Sequence, residues 1–152
     1  MKILLKSPSE TKKLGEKIGR KIFQKEESFF LALEGGLGSG KTTFLQGVAK
    51  GLQIEEKITS PTFVIFKKYK IKKERFFYHF DAYRINEKDL GVLNFTEIIK
   101  NKNSIIAVEW SENIEKKIPQ NAIKLKFSFI NFKERRLIVN KNSVIIRDIW
   151  PS

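Results

Sequence analysis

The feature that most constrains this chain is an abrupt change of pattern between residues 28 and 52. A short apolar run (SFFLALE, residues 28–34) stops at a glycine-rich stretch (GGLGSGKT, residues 35–42), and a helix-patterned segment (TFLQGVAKGL, residues 43–52) begins at once. The apolar run is continuous rather than alternating, as in a short strand buried on both faces. The glycines suit a backbone that takes positive φ and brings its N–H groups close to an anion. The following helix places Phe44, Leu45, Val48 and Leu52 inward, and it aims the partly positive end of its dipole at the same anion. Strand, loop and helix in this order are the context in which Gly35-x-x-x-x-Gly40-Lys41-Thr42 acts as a phosphate-binding loop. Lys41 then supplies a point charge for the β- and γ-phosphates, and the Thr42 hydroxyl is a ligand for Mg²⁺. The pattern points to a nucleoside triphosphate without separating ATPase, GTPase and kinase. The Asn-Lys-x-Asp loop that reads guanine is missing: Asn101-Lys102-Asn103-Ser104 and Asn140-Lys141-Asn142-Ser143 both lack the final Asp. That favours ATP.

The 152 residues suit one domain, with residues 1–152 forming a single α/β unit. With no cysteine and one histidine, the chain has no disulfide, no thiol nucleophile and no His-rich metal site. The N-terminus (MKILLKSPSE) has a positive start but only three consecutive apolar residues. This is too short for a signal-peptide core or a membrane span, so the expected address is the cytoplasm. Net charge is +13, which favours encounter with nucleotides and RNA. The excess is spread along the chain, with local clusters at residues 67–75 and at Lys133, Arg135 and Arg136. A solvated lysine-rich surface and a polyanion-binding face explain it equally well.

Leu14, Ile18, Ile22 and Phe23 recur at helical spacing over residues 10–25, with Ser7 or Ser9 as the cap. Residues 62–71 and 74–83 are β-rich runs that read as a hairpin, residues 87–100 as one or two short helices, and residues 104–110 as another buried strand. Three further β-rich runs close the chain: AIKLKFSFI, RRLIVN and SVIIRDI. The sum is an α/β fold with a mixed, P-loop NTPase-like sheet flanked by helices and antiparallel strands at the C-terminal end.

A phosphate loop of this kind needs a second Mg²⁺ ligand and a group that positions water. Asp81 ends the apolar run FFYHF and Glu109 ends SIIAV, and in open α/β sheets ligands sit at the carboxyl ends of strands. An acid there can reach metal directly or through water; the structural alternatives are a strand-end turn residue paired with Arg84 for Asp81 and a helix-capping acid beside Ser111 for Glu109. His79 lies two residues before Asp81 on the same strand face, where a lone imidazole is ordinarily a satisfied core residue. Trp110 either covers a nucleotide pocket or fills core. Thr59-Ser60-Pro61-Thr62-Phe63 sets three hydroxyls around a proline. It reads as a turn entering a strand, or as a switch loop that senses the γ-phosphate.

Taken together, ETKKLG, GGLGSGKTTFLQGVAKGL, TSPTF, YHFDAYR and VEW stand in an order that resembles the bacterial TsaE (YjeE-like) family along nearly the whole chain. The resemblance implies a P-loop ATPase of tRNA threonylcarbamoyladenosine biosynthesis that binds ATP and Mg²⁺ and hydrolyses ATP slowly. It implies partners similar to TsaB and TsaD, which modify adenosine 37 of tRNA, with this subunit supporting repeated turnover rather than the transfer itself. Direct contact with tRNA is compatible with the charge, and no membrane is involved. It implies nucleotide contacts along Leu37, Gly38, Ser39, Gly40, Lys41, Thr42 and Thr43, with Thr11 on the adenine side and Trp110 beside the nucleotide. It assigns Thr42, Glu109 and Asp81 to the metal, makes Asp81 and Glu109 the catalytic acids, and makes TSPTF the switch-like loop. The family usually has an acid where Gly36 stands and a commoner Ala where Ser39 stands. Two other readings of the loop are a small-molecule kinase and a docking module gated by ATP. Arg84 is the only arginine between residues 84 and 130, so no arginine-rich lid is apparent, and Arg135 and Arg136 lie far downstream.

Overall fold

The computed structural model describes residues 1–61, 65–140 and 144–149. In chain order the elements are β1 (Lys2–Leu5), α1 (Pro8–Gln24), β2 (Phe29–Glu34), α2 (Lys41–Gly51), β3 (Phe66–Lys72), β4 (Arg75–Asp81), α3 (Phe95–Lys100), β5 (Ser104–Glu109), β6 (Ile123–Phe129), β7 (Arg135–Val139) and α4 (Val144–Ile149). Short 3-10 segments at Asp89–Leu93 and Ser111–Lys117 flank α3 and β5.

The two continuous apolar strands, β2 and β5, determine the layering. Successive side chains of a strand point to opposite faces, so Leu31 and Leu33 of β2 and Ile105 and Ala107 of β5 enter one core, with α1, α2 and α4. Phe30, Ala32, Ile106 and Val108 enter a second core on the other face, covered by Leu90, Phe95 and Ile114. The seven strands lie in the order β1-β7-β6-β2-β5-β4-β3. The central pairs β6–β2, β2–β5 and β5–β4 are parallel. The outer pairs β3–β4, β6–β7 and β1–β7 are antiparallel. The mixed sheet and the antiparallel C-terminal hairpin agree with the sequence reading.

Two elements depart from it. The N-terminal residues 2–5 form an edge strand that pairs with β7, although four residues give too few alternations to stand out. The last β-rich run is a helix where described. Ile145 and Ile146 are consecutively buried and Arg147 and Asp148 consecutively exposed, a pattern a helix produces and a strand does not. β1 already occupies the outer edge of β7, so this run packs on α1 instead. Among the described residues no helix is long and apolar enough to cross a membrane.

Ser7 caps α1 by accepting from the Glu10 N–H. Helices α1 and α2 cross unusually closely, through Gly15 and Gly19 on one and Gly47 and Gly51 on the other. A Cβ at Gly47 would stand 2.0 Å from the Lys12 carbonyl oxygen, and one at Gly15 2.1 Å from that of Phe44. Backbone cannot give way as a side chain can, so an added methyl must push the helices apart. Gly47→Ala is expected to cost about 2 kcal/mol, lowering Tm by roughly 4–8 °C for a chain of this size. Gly91→Ala, whose Cβ would meet nothing within 4 Å among the described residues, should leave the melting curve unchanged in the same experiment.

Candidate functional site

The parallel register of β2, β5 and β4 sets Leu33 opposite Glu109 and Glu109 opposite Asp81. The carboxyl ends of the three strands therefore open at one edge of the sheet. The chain leaves β2 there through Gly35 (φ 136°), Gly38 (φ 70°) and Gly40 (φ 102°), all in the region that favours glycine. A Cβ at Gly35 would lie 2.5 Å from the Phe127 carbonyl oxygen and 2.8 Å from Ser39 Oγ, whereas one at Gly36 would meet nothing within 4 Å among the described residues. Gly40 is the N-cap of α2, and no side chain among the described residues caps that end. The first-turn N–H groups have no intrahelical partner, so this end of the helix offers donors and positive potential to an anion.

Lys41 is buried and folds back over the loop. Its ammonium donates to the carbonyl oxygens of Gly35 and Gly36 and lies 4.3 Å from the centre of the Trp110 ring. Burial pushes its pKa below the ordinary value, while Glu109, Glu112 and Asp81 act in the opposite direction. A phosphate group brought to the loop would relieve that desolvated charge. Thr42 Oγ1 donates to Glu109 Oε1 at 2.8 Å, and the second oxygen of Glu109 meets His79 Nε2 at 2.6 Å. Asp81 is committed differently: its two oxygens accept from Ser60 Oγ at 2.8 Å and from the Tyr83 N–H at 2.9 Å. Ser60 is thereby held against the end of β4, and Thr59 accepts from Lys67. Thr62 and Phe63 of the TSPTF segment lie outside the described residues.

A cleft of about 170 Å³ runs along the loop and is lined by Thr11, Gly38, Gly40, Lys41, Thr42, Thr43 and Glu109. The fold thus brings together most of the residues singled out in the sequence. Ser39 is buried beneath the loop, and Leu37 projects 80% exposed from its tip. Trp110 is half-buried against Tyr83, with ring centres 4.8 Å apart. Pro8, Lys133 and Arg135 complete the cleft wall and were not assigned to it by the sequence reading. Arg135 is far downstream in sequence, yet its Nε donates to the Gly38 carbonyl at 3.0 Å. No local signal marks this placement, because the β6–β7 hairpin carries the guanidinium across 97 residues of sequence.

A central parallel strand that ends in this loop, an uncapped helix behind it and a hydroxyl–carboxylate pair opposite define a protein of the P-loop nucleotide-binding class. The sequence profile of the family described as "Threonylcarbamoyl adenosine biosynthesis protein TsaE" matches residues 5–138. The chain belongs to that family. It is 33% identical to the tRNA threonylcarbamoyladenosine biosynthesis protein TsaE of Nostoc sp., over 97% of this chain and 90% of the relative. It is 37% identical to that of Bacillus subtilis, over 70% of this chain and 66% of the relative. The crystal structure of YdiB from Bacillus subtilis superposes with a TM-score of 0.75 at 28% identity, covering 98% of this chain and 92% of that one.

The loop geometry separates two neighbouring glycines. Gly35→Ala would place a side chain on a positive φ and create two contacts shorter than 3.0 Å, and is expected to cost about 1–3 kcal/mol. Gly36→Ala should stay within about 0.5 kcal/mol of the parent. Denaturant melts of the two variants side by side check this.

Proposed function

We propose that this chain is the ATP-binding, slowly hydrolysing subunit of the bacterial machinery that makes N6-threonylcarbamoyladenosine at position 37 of tRNA. In this reading it works in the cytoplasm with TsaB-like and TsaD-like partners, and its ATP cycle lets the complex turn over repeatedly. The threonylcarbamoyl transfer belongs to those partners. The observation that carries the nucleotide part is the buried Lys41 ammonium inside an uncapped loop–helix junction, with the Thr42–Glu109 pair across from it. Family membership supports the pathway.

The Thr42 hydroxyl and the Glu109 carboxylate are oxygen donors within 2.8 Å of each other, a donor set that suits a hard divalent cation. Both would hold Mg²⁺, and when bound it would neutralise charge on the phosphates. Loop N–H groups and Lys41 would grip the polyphosphate, while Thr11 and Pro8 wall the cleft away from the sheet. Glu109 would orient the attacking water from its buried position, and Asp81 would hold Ser60 and the loop around it beside the γ-phosphate end. Slow hydrolysis fits Arg135, whose Nε and Nη1 are spent on main-chain carbonyls. An arginine free to reach the transition state can contribute ~10³–10⁵ in rate.

Lys41→Ala is expected to abolish ATP binding in calorimetry, since the loop loses its only ammonium. The lowered pKa of Lys41 also gives binding a pH signature. Between that lowered value and the ordinary 10.5, the free protein has lost the proton that polyphosphate would restore, so ATP binding should take up a proton from solvent. Below that window the lysine is charged in both states and its contribution to uptake vanishes. Calorimetry in buffers of different ionisation enthalpy would show the uptake, and the same titration below that window should show none from this group. Reconstitution with the two partner proteins, tRNA, ATP and an activated threonylcarbamoyl donor tests the whole reading. Modified nucleoside should accumulate over many turnovers only when this chain is present, and unchanged yield without it would refute the assignment.

A further inference from the structure

We propose that His79 is a positioning residue that fixes the plane of the Glu109 carboxylate, so that one oxygen stays turned towards Thr42 and the metal side of the cleft. The inference deepens the ATPase reading and rests on it. Glu109 is buried at the end of β5, and its two oxygens have separate partners: Thr42 Oγ1 on Oε1 at 2.8 Å and His79 Nε2 on Oε2 at 2.6 Å. The terminal torsion of a glutamate is broad and two-fold, so nothing within the side chain sets that plane. The imidazole can set it because it is itself immobile. It is fully buried in β4 and stacked on Phe77, with ring centres 6.4 Å apart and planes 23° from parallel. Against an ionised carboxylate the ring must be the donor.

A second observation shows that the ring does more than fill space. Among the described residues His79 Nδ1 is buried without a hydrogen-bond partner, a cost that an apolar side chain would avoid. Phe77, two residues earlier on the same face of β4, fills the same layer with no polar atom. The Nε2–Glu109 bond is what the imidazole provides in return. Hydrogen bonds to a metal-ligating carboxylate from outside the coordination sphere typically change metal affinity or activity 10–100-fold.

The test measures ATP affinity by calorimetry with and without Mg²⁺ in three variants. His79→Phe should bind metal-free ATP within about twofold of the parent and lose about 10–100-fold of the gain that Mg²⁺ gives. His79→Gln, whose amide nitrogen can take the place of Nε2, should recover most of that gain. Equal loss in both variants, no loss in His79→Phe, or equal weakening with and without Mg²⁺ overturns the proposal. Glu109→Gln separates the two levels. If it too keeps the full Mg²⁺ gain, the metal reading of Glu109 fails; if it loses the gain while His79→Phe keeps it, only the positioning role fails. An independent measurement needs no His79 variant. The chain has a single histidine, so nitrogen NMR of the intact protein reports this ring alone. The proton should sit on Nε2, and that signal should move in Glu109→Gln. A bare Nε2 overturns the proposal.

Discussion

The parallel register of β2, β5 and β4 is the constraint on which the site depends. It sets Glu109 level with Leu33 on one side and Asp81 on the other. Side chains alternate along a strand, so a slip of one residue would carry Glu109 to the opposite face and away from Thr42. The two cores prevent that slip. Ile105 and Ala107 belong to the α1–α2 side, and Ile106 and Val108 to the other. A one-residue shift would exchange them wholesale, so hydrophobic burial far from the cleft determines on which face the carboxylate stands.

Charges in the cleft are arranged around one another. Glu109 is held by a hydroxyl and an imidazole, and Lys41 by two carbonyls and an indole face. A buried charge left unpaired costs several kcal/mol in a protein interior, so each of these contacts limits a penalty as much as it contributes binding. Carbonyl oxygens are weaker partners for an ammonium than phosphate oxygens are. A polyphosphate brought to the loop would thus improve the environment of a cation already in place. The uncapped end of α2 follows the same logic, since a capping side chain would occupy the donors that an anion needs.

Sequence pattern revealed the parts whose chemistry is local. The glycine loop, its flanking strand and helix, a serine cap at Ser7 or Ser9 and the doubly buried strands all depend on neighbours within a few residues. The missed parts have partners elsewhere. His79 reads as core because its carboxylate lies 30 residues away, and Arg135 reads as surface because Gly38 lies 97 residues away. The residues around Ile145 favour strand by β-branching, but propensity yields to packing when a helical surface offers the burial. The glycine pairs Gly15–Gly19 and Gly47–Gly51 were legible in principle, since spacing of four on two adjoining helices places small residues on facing stripes.

The least conspicuous element, β1, explains how the cleft acquires its far wall. Its pairing with β7 sets Leu5 opposite Arg135, and two residues later Ser7 starts α1, which brings Pro8 and Thr11 to the loop. The same strand pair therefore delivers Thr11 from one side and Arg135 from the other. Both side chains flank Gly40, where a Cβ would lie 3.6 Å from Thr11 Cγ2 and 3.7 Å from Arg135 Cγ. The central strands supply the phosphate loop and its acids, and the antiparallel edge supplies the enclosure around them. Four residues of alternating pattern look dispensable in the sequence, yet through main-chain pairing they place α1 and the β6–β7 hairpin on either side of the loop.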